Sequence, residues 1–140
     1  MNGKTFTITR AVFEDMLAAA LDALPNEACG LLAGSEDRAI KCCVITNADA
    51  SPDHYSMRPE DQFAAIQDMR AAKLKMLAIW HSHPSTPARM SEEDMRLAYT
   101  PDLYYVIVSL AAPGQPVAHA FEVDNGVARE IPVVIEEGHG

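Results

Sequence analysis

The stretch Met76-Leu77-Ala78-Ile79-Trp80-His81-Ser82-His83-Pro84 does most to limit what this chain can become. Its apolar run lacks a helical period and reads as a buried strand, predicted from Lys75 to His81. Residues two apart on a strand share a face, so His81 and His83 project together while Ser82 points the other way. Pro84 and Pro87 then impose a turn, and Ser91-Glu92-Glu93-Asp94 reads as the capped start of a short helix reaching Ala98. The fold must therefore end a strand in two imidazoles and can bring an acidic helix start back over them.

The flanking segments alternate between the two periods. A short strand over Thr5 to Ile8 leads into a helix predicted from Arg10 to Leu24, capped by Thr9, with Val12, Met16, Leu17, Ala20, Leu21 and Leu24 on its apolar face. Pro25-Asn26 stops it, and Glu27-Ala28-Cys29-Gly30-Leu31-Leu32-Ala33-Gly34 reads as a buried strand with Glu27 at its entrance. The polar turn from Ser35 to Arg38 joins it in a hairpin to a strand across Ala39 to Thr46, and a loop follows through Asp53. Pro59 suits the first turn of a helix running to about Lys73, with Phe63, Ile66, Met69 and Ala72 as its buried stripe. The remainder reads as strands over Leu103 to Leu110, Val117 to Val123 and Val127 to Ile135, with Asp124-Asn125-Gly126 as a hairpin turn and a frayed tail from Glu136 to Gly140. Strands interspersed with three helices indicate a mixed α/β fold rather than a strict parallel βαβ series.

At 140 residues the chain fits one domain, taken as residues 1–140. A formal net charge of −9 disfavours nucleic acid, because that binding depends on Lys and Arg neutralising phosphates. No run approaches membrane-spanning length, and the amino terminus alternates instead of building a signal core, so a cytoplasmic protein without a membrane partner is expected. Cys29, Cys42 and Cys43 have no Cys-x-x-Cys spacing and read as free thiols in a reducing compartment.

Two same-face histidines and a carboxylate suit zinc, whose nitrogen and oxygen ligands sit at roughly 2.0–2.2 Å, and three protein ligands leave one position open for water. Asp94 is the natural third ligand. Each fragment also has an ordinary explanation. A His-x-His pair can be a satisfied core pair, Ser91 and Asp94 can be a plain capping box, and Glu27 alone can be a solvated loop acid. Cys29 could be paired with a histidine as a nucleophile, but a cysteine within an apolar strand is more often a small core residue. Cys42 and Cys43 read as core or edge residues, Trp80 as core and His54 as a loop histidine, while His119 and His139 have no identifiable partner. Zinc-dependent deaminases need His-x-Glu with Pro-Cys-x-x-Cys, and another peptidase class needs His-Glu-x-x-His; the chain has neither.

His81-Ser82-His83-Pro84, the residues from Pro84 to Met90, and Ser91-Glu92-Glu93-Asp94 together resemble the JAMM motif of the MPN-domain (Mov34/MPN/PAD-1) zinc metalloproteases. The segment Glu27 to Gly34 is similar to that family's upstream glutamate strand, and the order of elements follows the family through nearly the whole chain. The resemblance implies an MPN/JAB domain: a mixed, partly barrel-like sheet flanked by about three helices, cytidine-deaminase-like in architecture. It implies zinc held by His81, His83 and Asp94, Glu27 as the general base that activates a water at the zinc, and Ser91 as the donor to the developing oxyanion. The expected activity is hydrolysis of a peptide or isopeptide bond in a protein or peptide substrate. The compact bacterial members point to the C-terminal Gly-Gly of a small ubiquitin-like or sulfur carrier protein. The alternative is a non-catalytic MPN scaffold that binds a partner protein around a structural zinc.

Overall fold

A computed structural model describes residues 4–98, 100 and 102–137. The chain order is β1 (Phe6–Thr9), α1 (Arg10–Ala23), β2 (Cys29–Ser35), β3 (Arg38–Ile45), α2 (Pro59–Ala71), β4 (Lys75–His83), α3 (Glu92–Leu97), β5 (Tyr104–Ser109), β6 (Val117–Asp124), β7 (Val127–Ile131) and β8 (Val133–Glu136). The strands form one mixed sheet in the order β7-β6-β5-β4-β2-β3-β1-β8. It is antiparallel through β3, β2 and β4 and parallel where β4 meets β5 and where β1 meets β3 and β8. The sheet curls until β8, one edge, approaches β6 near the other, giving the expected partly barrel-like shape. Among the described residues no helix is long and apolar enough to cross a membrane.

Each face of the sheet has its own cover. Thr9 caps α1 by accepting a hydrogen bond from the Val12 N–H at 3.2 Å, and Val12, Phe13, Met16 and Ala20 are buried. Val12, Phe13 and Met16 pack against Phe6, Ile8, Leu32, Trp80, Val106 and Val108. On the opposite face Ala65 and Met69 of α2 pack on Leu31, Ala33 and Ile45. The segment carrying α3 buries Ala88, Met90 and Ala98 against Tyr105, Ile107 and Phe121. From Ile79 onward, past the irregularity in the β2–β4 pairing, the odd-numbered residues of β4 face this second side, so Ile79 joins the α2 and α3 clusters while Leu77, Ala78 and Trp80 belong to the α1 core.

Three strands crowd around Gly30. A Cβ there would lie 2.0 Å from the Cys43 carbonyl oxygen and 2.6 Å from Trp80 Nε1, so only glycine allows β2 to approach both. This contact lies three residues from Glu27 and sets how β2 enters the sheet.

Several expected details differ. Leu21 and Leu24 are exposed, because the α1 contact stripe runs through Phe13 and Ala20 and leaves Leu21 on the flank and Leu24 beyond the last turn. Phe63 is 61% exposed, because α2 meets the sheet through Ala65 and Met69, and a residue two before Ala65 points to the opposite side. Ala72, at the end of α2, is also exposed. The run from Val127 to Ile135 is two strands, divided at Pro132: β7 pairs with β6, whereas β8 crosses to the far edge and pairs with β1. The hairpin turn stands, with φ of 53° at Asn125 and 78° at Gly126. His119 does have a partner, its Nδ1 lying 3.1 Å from Glu130 Oε2 across the β6–β7 pair. The expected frayed tail is ordered at its start, since Glu136 ends β8 and Glu137 accepts from Arg10 at 2.6 Å, whereas residues 138–140, His139 among them, lie outside the described residues.

Candidate metal centre

The site lies where β4 ends. His81 and His83 are 2% and 6% exposed on its α3-facing side, with their Nε2 atoms 3.1 Å apart. α3 brings in Asp94, whose Oδ2 is 3.2 Å from His83 Nε2 and whose Oδ1 is 3.4 Å from His81 Nε2. The capping box forms as well: the Ser91 N–H donates to Asp94 Oδ2 and the Asp94 N–H donates to Ser91 Oγ, both at 3.0 Å. Asp94 therefore uses one carboxylate both to start the helix and to face the imidazoles. The capping and ligand readings of this fragment are compatible.

The remaining acid arrives through the sheet. Cys29 is in register with His81 across the β2–β4 pair, which places Glu27 beside the histidines although more than fifty residues separate them in sequence. Ser82, on the opposite face of β4, locks this junction: its hydroxyl accepts from the Ala28 N–H at 2.8 Å and its own N–H donates to the Ala28 carbonyl at 3.0 Å. Glu27, His81 and His83 offer ligand atoms that all lie within 4.8 Å of one another. Glu27 is 4% exposed, and its Oε1 is buried without a hydrogen-bond partner among the described residues. A buried polar atom without a partner costs free energy and marks a position where something polar belongs.

Protonation follows from burial and neighbours. Burial pushes the Glu27 carboxyl up to about 8, opposed by His83 and reinforced by Asp94. Burial lowers His81, against the pull of Asp94. For His83 burial also lowers, but the Asp94 carboxylate and the Pro87 carbonyl outweigh it and leave the imidazole raised. Burial alone would raise Asp94, yet its two histidine partners hold it well below the usual carboxylate range.

A cation fits this arrangement. The Pro87 carbonyl oxygen lies 2.9 Å from His83 Nδ1, which assigns the proton to that nitrogen and leaves the Nε2 lone pair directed at His81 and Asp94. Two imidazole nitrogens and a carboxylate oxygen converging on one point suit a positive charge between them. Nitrogen and oxygen donors in that number suit zinc with an open coordination position.

In the metal-free protein the buried acid should show itself as pH-dependent stability. Folded Glu27 retains its proton up to about 8, whereas its reference value is 4.5, so between those values the folded state binds more protons than the unfolded state. Stability therefore falls as pH rises through the window, by up to about 1.4 kcal/mol per pH unit. His83, also raised, adds a loss of the same sign as pH climbs past its own value. Urea denaturation of chelator-treated wild type and Glu27→Gln between pH 5 and 8 isolates the Glu27 share. A slope equal in the two proteins would contradict it.

Cys29 is no nucleophile. It is fully buried, its thiol contacts the Ile45 carbonyl at 3.3 Å, and burial pushes it up to about 12. Cys42 and Cys43 are half-buried on β3, and Trp80 is fully buried. His54 is exposed, 3.0 Å from Asp49 Oδ2, whereas its neighbour Tyr55 stacks on His81 with centroids 4.7 Å apart. Tyr55 carried no signal in the sequence beyond being an aromatic residue in a loop.

The chain matches the family described as prokaryotic homologs of the JAB domain over residues 9–123. It is 36% identical over 124 residues to a protein of Mycobacterium tuberculosis named CysO-cysteine peptidase, covering 87% of this chain and 85% of the relative. The solution structure of protein DSY2949 from Desulfitobacterium hafniense has a TM-score of 0.87 and 44% identity, over 95% of this chain and 94% of that one. A structure titled "JAMM: A Metalloprotease-like Zinc Site in the Proteasome and Signalosome" has a TM-score of 0.58 and 25% identity, over 93% of this chain and 98% of that one. With its mixed curled sheet, its histidine strand and a match over most of its length, the chain belongs to the prokaryotic JAB-domain family.

Proposed function

We propose that residues 1–140 act as one zinc-dependent metallopeptidase domain that hydrolyses a peptide or isopeptide bond. His81, His83 and Asp94 are the zinc ligands, Glu27 is the general base and Ser91 is the oxyanion donor. The observation that carries this reading is the convergence of His81 Nε2, His83 Nε2 and the Asp94 carboxylate beside the buried, unpartnered Glu27 Oε1. Zinc, when bound, supplies a Lewis acid that polarises the scissile carbonyl and acidifies a water.

The chain's own residues do the rest. Glu27 takes the proton of the attacking water and passes it to the departing amine, the dual role open to a carboxylate held beside the histidines. Ser91 Oγ already accepts from the Asp94 N–H, so its hydroxyl proton is free to donate to the oxyanion developing on the substrate. The Tyr55 ring stacked on His81 limits water at that imidazole and so strengthens the charges beside it.

The substrate we propose is a small ubiquitin-like or sulfur carrier protein cleaved after its C-terminal Gly-Gly, in the cytoplasm. Support comes from the relative named CysO-cysteine peptidase. The test is mass spectrometry of zinc-loaded protein incubated with a ubiquitin-like protein extended past Gly-Gly by a cysteine or joined there to a lysine side chain. Release of the extension, stopped by chelation and restored by zinc, is expected. No cleavage of either substrate by protein carrying one zinc per chain would overturn the reading. The competing possibility, a partner-binding scaffold with structural zinc, would recruit Glu27 as a fourth ligand, since closed structural sites take four protein donors.

A further inference from the structure

Glu27 precedes β2 and so lies outside the ladder that fixes its neighbours. What holds it is the loop of residues 46–58 between β3 and α2. The Glu27 N–H donates to the Ser51 carbonyl at 2.8 Å, and the Glu27 carbonyl accepts from Asn47 Nδ2 at 3.1 Å. The same Asn47 Nδ2 donates to the His54 carbonyl at 3.1 Å, while Asn47 Oδ1 accepts from the Asp49 N–H at 3.0 Å and the Ser56 N–H at 3.2 Å. An amide side chain has two N–H donors and two acceptor lone pairs, so Asn47 is fully used. Its bonds to His54 and Ser56 bracket Tyr55, whose ring stacks on His81 at an interplanar angle of 25°.

We propose that Asn47 is a positioning residue: one amide sets both the main chain of Glu27 and the Tyr55 ring that orients His81. The inference rests on Glu27 acting as the base and His81 as a ligand. The Ala28 N–H, bonded to Ser82, belongs to the same peptide group as the Glu27 carbonyl, so β4 holds this peptide from one side while Asn47 and Ser51 hold Glu27 from the loop. A base misplaced by about 1 Å can lose on the order of 10²-fold in rate without any change in substrate binding. Asn47 touches neither histidine, so its effect is transmitted through Glu27 and Tyr55.

The test uses Asn47→Asp, which keeps the size and the Oδ1 acceptor but replaces both donated hydrogen bonds with an oxygen facing two carbonyls. In the zinc-loaded protein, cleaving a ubiquitin-like protein extended past Gly-Gly, kcat should fall by about 10–100-fold while KM stays within about threefold. In the metal-free protein, the His81 ring proton resonances, displaced by the Tyr55 ring, should move towards their positions in Tyr55→Leu. Asn47→Ser gives the same readouts should Asn47→Asp not fold. Wild-type kcat in a folded variant, or His81 resonances that do not move, would overturn the proposal. So would loss of folding in both variants, since Asn47 would then be holding the fold and not the site. If wild type itself fails to cleave, the function reading falls, and the resonance measurement still decides whether Asn47 places Tyr55 on His81.

Discussion

Glu27→Gln should abolish hydrolysis and leave the zinc in place. The substitution keeps the shape of the side chain and removes its ability to take a proton, so the expected loss is that of a general base, about 10²–10⁴-fold in kcat. KM should change little, because the role proposed for Glu27 is on the water and the leaving group and not on the body of the substrate. Metal content decides between the two readings of this carboxylate. If the ligands are His81, His83 and Asp94, the variant still binds one zinc per chain by elemental analysis. If Glu27 is instead the fourth donor of a closed structural site, zinc affinity falls with the substitution. Full zinc together with full activity would show that another group serves as the base.

Asp94→Asn and His83→Ala should each strip the protein of zinc, and their contrast separates metal binding from folding. Asparagine at position 94 can still accept the Ser91 N–H through its side-chain oxygen, so the cap that starts α3 persists while the negative charge facing both imidazoles is lost. Removing a ligand should weaken zinc by more than the ~10–100-fold that follows loss of an outer hydrogen bond. Asp94→Ala also loses the reciprocal half of the capping box, the bond from the Ser91 N–H, worth about 1 kcal/mol, while Ser91 Oγ still caps the helix. A competitive chelator titration measures the affinity, and chemical denaturation the folding. Unchanged zinc affinity in Asp94→Asn would remove this residue from the ligand set.

Much of this site was visible before any coordinates, for a physical reason. The strand period puts His81 and His83 on one face, and the cap chemistry of Ser91 and Asp94 marks a helix start, so three site groups are encoded within a short stretch. Glu27 is harder, since the pairing of Cys29 with His81 is a long-range property of the sheet; family resemblance supplied it where local pattern could not. Tyr55 and Asn47 were missed because a loop has no period, and their partners are backbone groups and a ring presented by other segments. The misjudged apolar residues have a similar origin. Periodicity shows that a helix has an apolar side, but which part of that side meets the sheet depends on how the helix lies, and α2 lies on Ala65 and Met69, leaving Phe63 in solvent. Pro132 broke the last predicted strand because a residue without an N–H cannot continue a paired ladder, and that break lets β8 reach the opposite edge.

The three proposed ligands come from only one crossing of the chain: His81 and His83 end a strand, and Asp94 returns after a single short loop anchored by Ala88 and Met90. Closing so short a segment carries little entropy, since that cost grows only with the logarithm of loop length. Loading the ion is thus a local act of assembly. The sheet, with Glu27 already seated at the head of β2, can fold first and wait for its metal; no strand has to part to admit it, and losing it need disturb nothing beyond one loop and a helix of two turns.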